Sequence, residues 1–169
     1  MKKIFTIVTC LFAFAASQTI NSQTIVDAAV SNENFTTLVT ALKAADLVGA
    51  LQGDGPFTVF APTNDAFAKI DAATLNSLLQ PENVKALTNI LTFHVVSGKL
   101  AAADVVAALK KGKGKVELKA LNGQTLTVLQ KDGKIWLQDQ NGNYSEIVTT
   151  DVMGSNGVIH VIDSVVMPK

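Results

Sequence analysis

The chain of 169 residues carries two histidines, His94 and His160, one cysteine, Cys10, and a scatter of carboxylates. Acid–base, nucleophilic or metal chemistry has to be built from these. The sharpest catalytic arrangement pairs His94 with Asp65, a carboxylate–imidazole couple of the kind a hydrolase uses as general base. It requires His94 to be open to solvent in a cleft. No Gly-x-Ser-x-Gly elbow, no phosphate-binding glycine loop and no mature cysteine nucleophile accompany it. The two histidines stand far apart without a neighbouring ligand pattern, so a zinc site has no support. Asp139-Gln-Asn-Gly-Asn-Tyr-Ser145 opens like a calcium loop, but Tyr144 takes the place of the sharp-turn glycine and Thr150 that of the bidentate glutamate. It reads as a hairpin loop. The residues offer no known catalytic motif, and no metal and no cofactor are expected.

Binding chemistry is narrowed by charge. Every basic residue is lysine, and without Lys2 and Lys3 the chain is slightly acidic. Arginine, the side chain suited to bidentate grip on phosphate and base edges, is absent, which argues against nucleic acid as partner. Lys110–Lys115 lacks arginine and interleaved aromatics and reads as a solvated loop. Trp136 falls at an alternating strand position and reads as core or rim. Asn34-Phe-Thr36 and Asn143-Tyr-Ser145 are glycosylation sequons, carrying no sugar if the chain is bacterial, as its compact Lys-Lys leader suggests.

The elements that must position these groups divide unevenly. Apolar residues at helical spacing predict helices over Thr24–Val30, Asn34–Ala45 (capped by Asn34), Ala73–Leu79, Pro81–Leu91 and Ala102–Leu109. Phe57-Thr-Val-Phe60 is a strand ended by Pro62, and Thr63 or Asn64 caps the next helix, with Asp65 in its first turn. Thr92–Val96 reads as a strand. Beyond residue 115 the period becomes two, and Asn122-Gly123, Asp132-Gly133 and Asn141-Gly142 mark tight hairpins between strands. Ile147–Val152 and the β-branched run Val158–Val166 complete the sheet, the latter patterned for burial on both faces. Helices in the first half and strands in the second give an α+β fold in one domain.

Met1-Lys-Lys followed by the apolar run Ile4–Ala16 has the form of a signal peptide, cut after Ala16, Ser17 or Ser22. Residues 1–22 are assigned to it and 23–169 to the folded domain. The run is shorter than the roughly 20 apolar residues a spanning helix needs, so no transmembrane anchor is expected in the mature chain. Cys10 lies in this run and leaves with it. The product is expected to be exported, whether periplasmic, cell-surface or secreted, and held together without disulfides.

Gly55–Ile70, Asn89-Ile-Leu-Thr-Phe-His-Val-Val96 and Asn156–Pro168, in that order, resemble the landmarks of the fasciclin (FAS1) domain family over roughly residues 25 to 168. The resemblance implies a wedge-like pair of β-sheets with helices packed around it. It also implies a non-enzymatic adhesion or surface-interaction module whose partner is a protein or a glycan. Phe93-His94 stands where the family usually has Tyr-His, which in animal matrix members is linked to integrin binding. Asp151-Val152-Met153 resembles the Asp-Ile-containing integrin motif beside the C-terminal box. With Asp65, these give the expected contact surface: Asp65, Phe93, His94, Asp151, Val152 and Met153. Against it stand structural readings, with His94 partly buried and bonded to Asp65 or Asn64, Asp151 bonded within a turn, and Val152 and Met153 in the core. A second functional expectation is a carrier of small apolar ligands, with a pocket among Phe57, Phe60, Phe67 and Phe93.

Overall fold

The computed structural model describes residues 23–169, so the leader and Cys10 lie outside it. Helix α1 (Ile25–Val30) is capped by Thr24, whose hydroxyl accepts from Asp27 N while the Asp27 carboxylate accepts from Thr24 N. A 3-10 turn (Glu33–Phe35) leads into α2 (Thr36–Ala44), and α3 (Val48–Leu51) precedes strand β1 (Phe57–Pro62). Then come α4 (Asn64–Ala68), α5 (Ala72–Leu78), a turn at Pro81–Asn83, α6 (Val84–Phe93), β2 (Val95–Ser97) and α7 (Ala102–Lys111). The remainder is sheet: β3 (Lys115–Lys119), β4 (Thr125–Lys131), β5 (Lys134–Gln138), β6 (Tyr144–Gly154) and β7 (Gly157–Ile162).

The strands form one seven-stranded sheet in the order β2-β1-β7-β6-β5-β4-β3. β1 and β7 run parallel, with Phe57 opposite Gly157 and Pro62 opposite Ile162, so the two landmark segments are partners. The other named pairings are antiparallel. The expected pair of sheets is thus a single sheet whose two leaves share β6. The register of β6 slips twice, between Ile147 and Thr149 and between Thr149 and Val152. Such bulges bend and twist a strand, so one strand serves both leaves. The two edges meet at a lone Val96–Ala120 bridge, and the sheet wraps nearly into a barrel.

Strand alternation splits the interior in two. Val59 and Ala61 of β1, with Ile159 and Val161 of β7, pack against α1, the 3-10 turn, α2 and α6 through Ile25, Phe35, Leu38, Leu42, Leu87 and Leu91. Phe60 and Ile162 point the other way, into a cluster with Phe93, Leu109, Leu126, Val128 and Leu137. β7 is buried along its whole length, as its β-branched run requires.

The turns follow their chemistry. Thr63 is the residue that caps α4, its hydroxyl accepting from Ala66 N. Asp132 (φ 55°) and Gly133 (φ 76°) both take the left-handed conformation a two-residue hairpin turn demands. Three expectations need correction. Asn34 is not a cap: the Asn32 side chain accepts from Asn34 N to start the 3-10 turn, and α2 begins only at Thr36. Thr92–Val96 is not a strand throughout, because α6 runs through Phe93 and only Val95–Ser97 pairs. There the burial of Phe93 overrides the β-propensity of its neighbours. The C-terminal strand stops at Ile162, and residues 163–169 form a tail outside the sheet held by side chains.

The corner where α1, α3, β1 and β7 meet depends on Asn156. Its Oδ1 accepts from Ile25 N at 3.0 Å, its Nδ2 donates to Leu51 O and Gly53 O at 2.8 Å each, and its carbonyl accepts from Phe57 N at 2.9 Å. The backbones come so close here that a Cβ on Gly157 would sit 2.2 Å from Phe57 O, and one on Gly154 would sit 2.6 Å from Ile25 N. Asn156→Ala leaves three backbone groups without partners and is expected to destabilise the fold by about 3 kcal/mol. Urea unfolding checks this: the midpoint should fall with the slope unchanged, and a loss below about 1 kcal/mol would contradict the role given to this amide.

Candidate functional site

Neither histidine is available for chemistry. His94 follows the last residue of α6 and is 2% exposed. Its Nδ1 donates to Ile90 O at 2.8 Å and its Nε2 accepts from Val166 N at 3.2 Å, which fixes a neutral tautomer with the proton on Nδ1. The partners expected from sequence are therefore corrected. Neither Asp65 nor Asn64 touches the ring, and a buried, fully bonded imidazole cannot be the base of the His94–Asp65 couple. Asn64 instead staples α4 to the start of α2, accepting from Thr37 N at 3.0 Å and donating to Glu33 O at 2.8 Å. His160 stacks on Phe60 with ring centroids 5.7 Å apart, and its Nε2 donates to Leu100 O at 2.7 Å.

Phe93 is wholly buried in the barrel-side cluster. Phe93 and His94, expected at the contact surface, both lie inside the molecule, and a partner in solution meets neither ring. Phe57 and Phe67 pack in the helical cluster, while Phe60 and Phe93 pack in the other. The sheet runs between the pairs, so the four rings do not enclose one space. The void between α1, α2 and the sheet amounts to only about 10 Å³. No lipid-sized cavity exists among these phenylalanines.

Asp151-Val152-Met153 lies in β6 rather than at a turn. Asp151 sits at the second bulge with φ 60°, which aspartate tolerates better than most residues, and its carboxylate accepts from Ala102 N at 2.8 Å. That bond places a negative charge at the N-terminus of α7, where the dipole and unpaired amides favour it. Asp104 accepts from Ala101 N at the same end. Val152 is half-buried against the helical cluster, whereas Met153 is 52% exposed and not in the core.

Asp139 is the acceptor its loop needs. Its carboxylate takes Asn141 N, Asn143 N and Asn143 Nδ2 from the hairpin, and Met167 N from the C-terminal tail. Nearly all of its lone pairs face amide donors, which explains why the calcium-like opening of this loop is a hairpin. Among the described residues no cluster of histidine, cysteine, aspartate and glutamate is placed to hold a metal ion.

Of the six expected contact residues, Asp65, Val152 and Met153 come together on one surface. Asp65 is exposed in α4 and lines a concavity of about 390 Å³ with Asn34, Thr63, Asn64, Val148, Thr149 and Val161. Val152 and Met153 line a shallower one of about 540 Å³ with Gln23, Ala28, Ser31, Asn32, Glu33 and Asn34. Asn34 borders both, making a continuous strip along β6. Val148, 51% exposed on β6, belongs to it and was not singled out from sequence. It follows Ile147 within β6, and two adjacent apolar residues in a strand point to opposite faces, which is the signal that could have marked one of them as exposed. The strip carries two carboxylates, Glu33 and Asp65, and no lysine.

A family profile described as the fasciclin domain matches residues 33–168. The chain belongs to the fasciclin family. It is 51% identical over 148 residues to Protein sll1483 of Synechocystis sp., covering 88% of this chain and 75% of that one. It is 33% identical over 146 residues to the cell surface glycolipoprotein MPB83 of Mycobacterium bovis, covering 83% of this chain and 59% of that protein. Among solved structures, a FAS1 domain pair from the insect cell adhesion molecule fasciclin I superposes with a TM-score of 0.73 at 19% identity, over 84% of this chain and 50% of that one. That likeness establishes the fold. No described helix is long and apolar enough to cross a membrane.

His94 sets how this fasciclin domain responds to acid. Burial lowers the imidazole pKa from 6.5 to about 4, against the smaller opposing effect of the Ile90 hydrogen bond. A group whose folded pKa is depressed binds its proton more readily when unfolded, so stability falls as pH drops from 6.5 towards 4. At 1.36 kcal/mol per unit the loss reaches about 3 kcal/mol. Asp163 titrates beneath this window. Its partial burial is outweighed by bonds from Glu146 N, Lys69 and Ser164, and its carboxyl lies below the ordinary range. Urea unfolding measured across pH 4 to 7 should show the slope, and His94→Gln should flatten it; an unchanged slope would mean that another group controls the response.

Proposed function

We propose that this fasciclin domain is a non-enzymatic adhesion or surface-interaction module that works outside the cytoplasm, exported by the leader read in residues 1–22. The observation that carries the reading is the strip along β6, where Val148 and Met153 stand half-exposed between two concavities whose only charges are Glu33 and Asp65. Exposed apolar side chains rimmed by polar ones are the ordinary composition of a recognition patch. The scaffold beneath is rigid, because α4 is stapled to α2 by Asn64 and β6 is clipped to α7 by Asp151. The partner is a protein or glycan on a cell surface or matrix, and the acidic rim favours one presenting cationic groups.

Asp65, Val152 and Met153 make direct contact in this reading, with Val148 added. Asp151 holds the backbone from which Met153 projects, and Phe93 and His94 support the fold from within. The kinship with a cell surface glycolipoprotein and the structural likeness to a domain pair of a cell adhesion molecule favour the reading.

The test is a binding assay of the purified protein on cells or matrix, read against total applied protein. Asp65→Lys and Met153→Asp, both at exposed positions, should each weaken saturable binding about tenfold, a loss of roughly 1.4 kcal/mol, and raising salt should weaken the parent. Binding that survives both substitutions with unfolding midpoints intact would overturn the choice of surface.

A further inference from the structure

The outward face of the β4–β5–β6 leaf carries a second site, independent of the strip. Alternation turns Ile135 and Leu137 of β5 inward and Lys134, Trp136 and Gln138 outward. Pairing then sets Trp136 opposite Leu129 on one side and Glu146 on the other, and Gln138 opposite Tyr144. A hollow of about 310 Å³ opens here, lined by Leu129, Lys131, Asp132, Trp136 and Tyr144. We propose that this hollow binds a pyranose unit of an uncharged glycan.

Two independent observations point to a ligand, and to this class of ligand. The first is the indole nitrogen of Trp136, which is shut off from solvent yet has no hydrogen-bond acceptor. Buried polar groups nearly always find partners, so this covered donor would gain the acceptor it lacks when a ligand seated in the hollow displaces the side chains over it. The second is the make-up of the hollow's wall. Tyr144 is 52% exposed, an unusual outlay of aromatic surface, and its hydroxyl is fixed by accepting from Gln138 Nε2 at 2.9 Å. Having accepted, that hydroxyl still has its own proton to donate. Lys131 supplies another donor and Asp132 an acceptor, and neither side chain has a hydrogen-bonded partner among the described residues. Lys134 and Glu146 pair at 2.8 Å nearby and so keep the platform's rim in place.

The ligand must therefore offer a flat apolar face to aromatic rings and, at its edge, groups that both accept and donate. A sugar ring does both: its C–H face packs on indole and phenol, and its hydroxyls serve Trp136, Tyr144, Lys131 and Asp132 at once. A purely apolar molecule would leave the indole N–H unpaired, which is costly. An anion would face Asp132 and a cation Lys131, so an uncharged ligand suits the wall best. The volume lies near the lower end of small-ligand pockets, about 300–1,000 Å³, and so admits one or two rings while the rest of a chain runs outside.

Trp136 is the chain's only tryptophan, so its fluorescence reports on this hollow alone. The purified protein is titrated with cellotetraose, maltotetraose and chitotetraose, and with the apolar dye 1-anilinonaphthalene-8-sulfonate. At least one saccharide should shift the emission saturably. Calorimetry of that saccharide should show about tenfold weaker binding to Trp136→Phe, which keeps a ring but lacks the N–H, and no measurable binding to Tyr144→Ala. Asp65→Lys should leave it unchanged, which separates this site from the strip. A response to none of the three saccharides, binding of the dye alone, or saccharide binding equal in Trp136→Phe and Tyr144→Ala with unfolding midpoints intact would each overturn the proposal.

Discussion

A single side-chain amide sets the frame of this molecule. Asn156 bonds to the backbone of α1, to the end of α3 and to the loop before β1, while its own carbonyl receives Phe57 N. Ile25, Leu51 and Gly53 each lie more than a hundred residues from Asn156 in sequence, and their meeting point fixes where β1 starts alongside β7. Gly157 and Gly154 leave room for the backbones to close around it. Once that corner is formed, the parallel β1–β7 pair divides the interior, and every other element packs on one side or the other of it.

The polar residues that look most like catalysts turn out to serve the same purpose as Asn156. His94 joins the end of α6 to the C-terminal tail, His160 joins β7 to the approach of α7, and Asp139 joins a hairpin to that tail. Each spends its hydrogen-bonding capacity mainly on backbone groups that would otherwise lack a partner. The interior has no polar group left over for chemistry at these positions, and the sheet that separates the phenylalanines leaves no shared cavity for a lipid.

In the proposed reading recognition lies on the outside, and β6 is the strand that would organise it. Its two bulges let it run from the hairpin leaf to the helical side. Its early residues stand beside the aromatic hollow and its later ones beside the acidic, apolar strip. A long bent strand with opposite surroundings at its two ends can present two different chemistries on one rigid body.

Local signals were legible wherever a residue's own backbone preference decides the outcome. Pro62 ending a strand, Thr63 capping a helix, Asp132-Gly133 turning a hairpin and the β-branched run of β7 all follow from sterics and hydrogen bonds within a few residues, and the α+β class and family landmarks follow from their order. What sequence could not decide was partnership across distance. It left His94 facing Asp65 or Asn64, put Phe93 on the contact surface although the fold buries it, and did not reveal what Asn156 would join. Spacing along a chain fixes which face a side chain takes on its own element. Which backbone group waits on the other side is settled only when helices and strands far apart in sequence pack together, because a buried donor must find its acceptor among whatever neighbours the whole fold supplies.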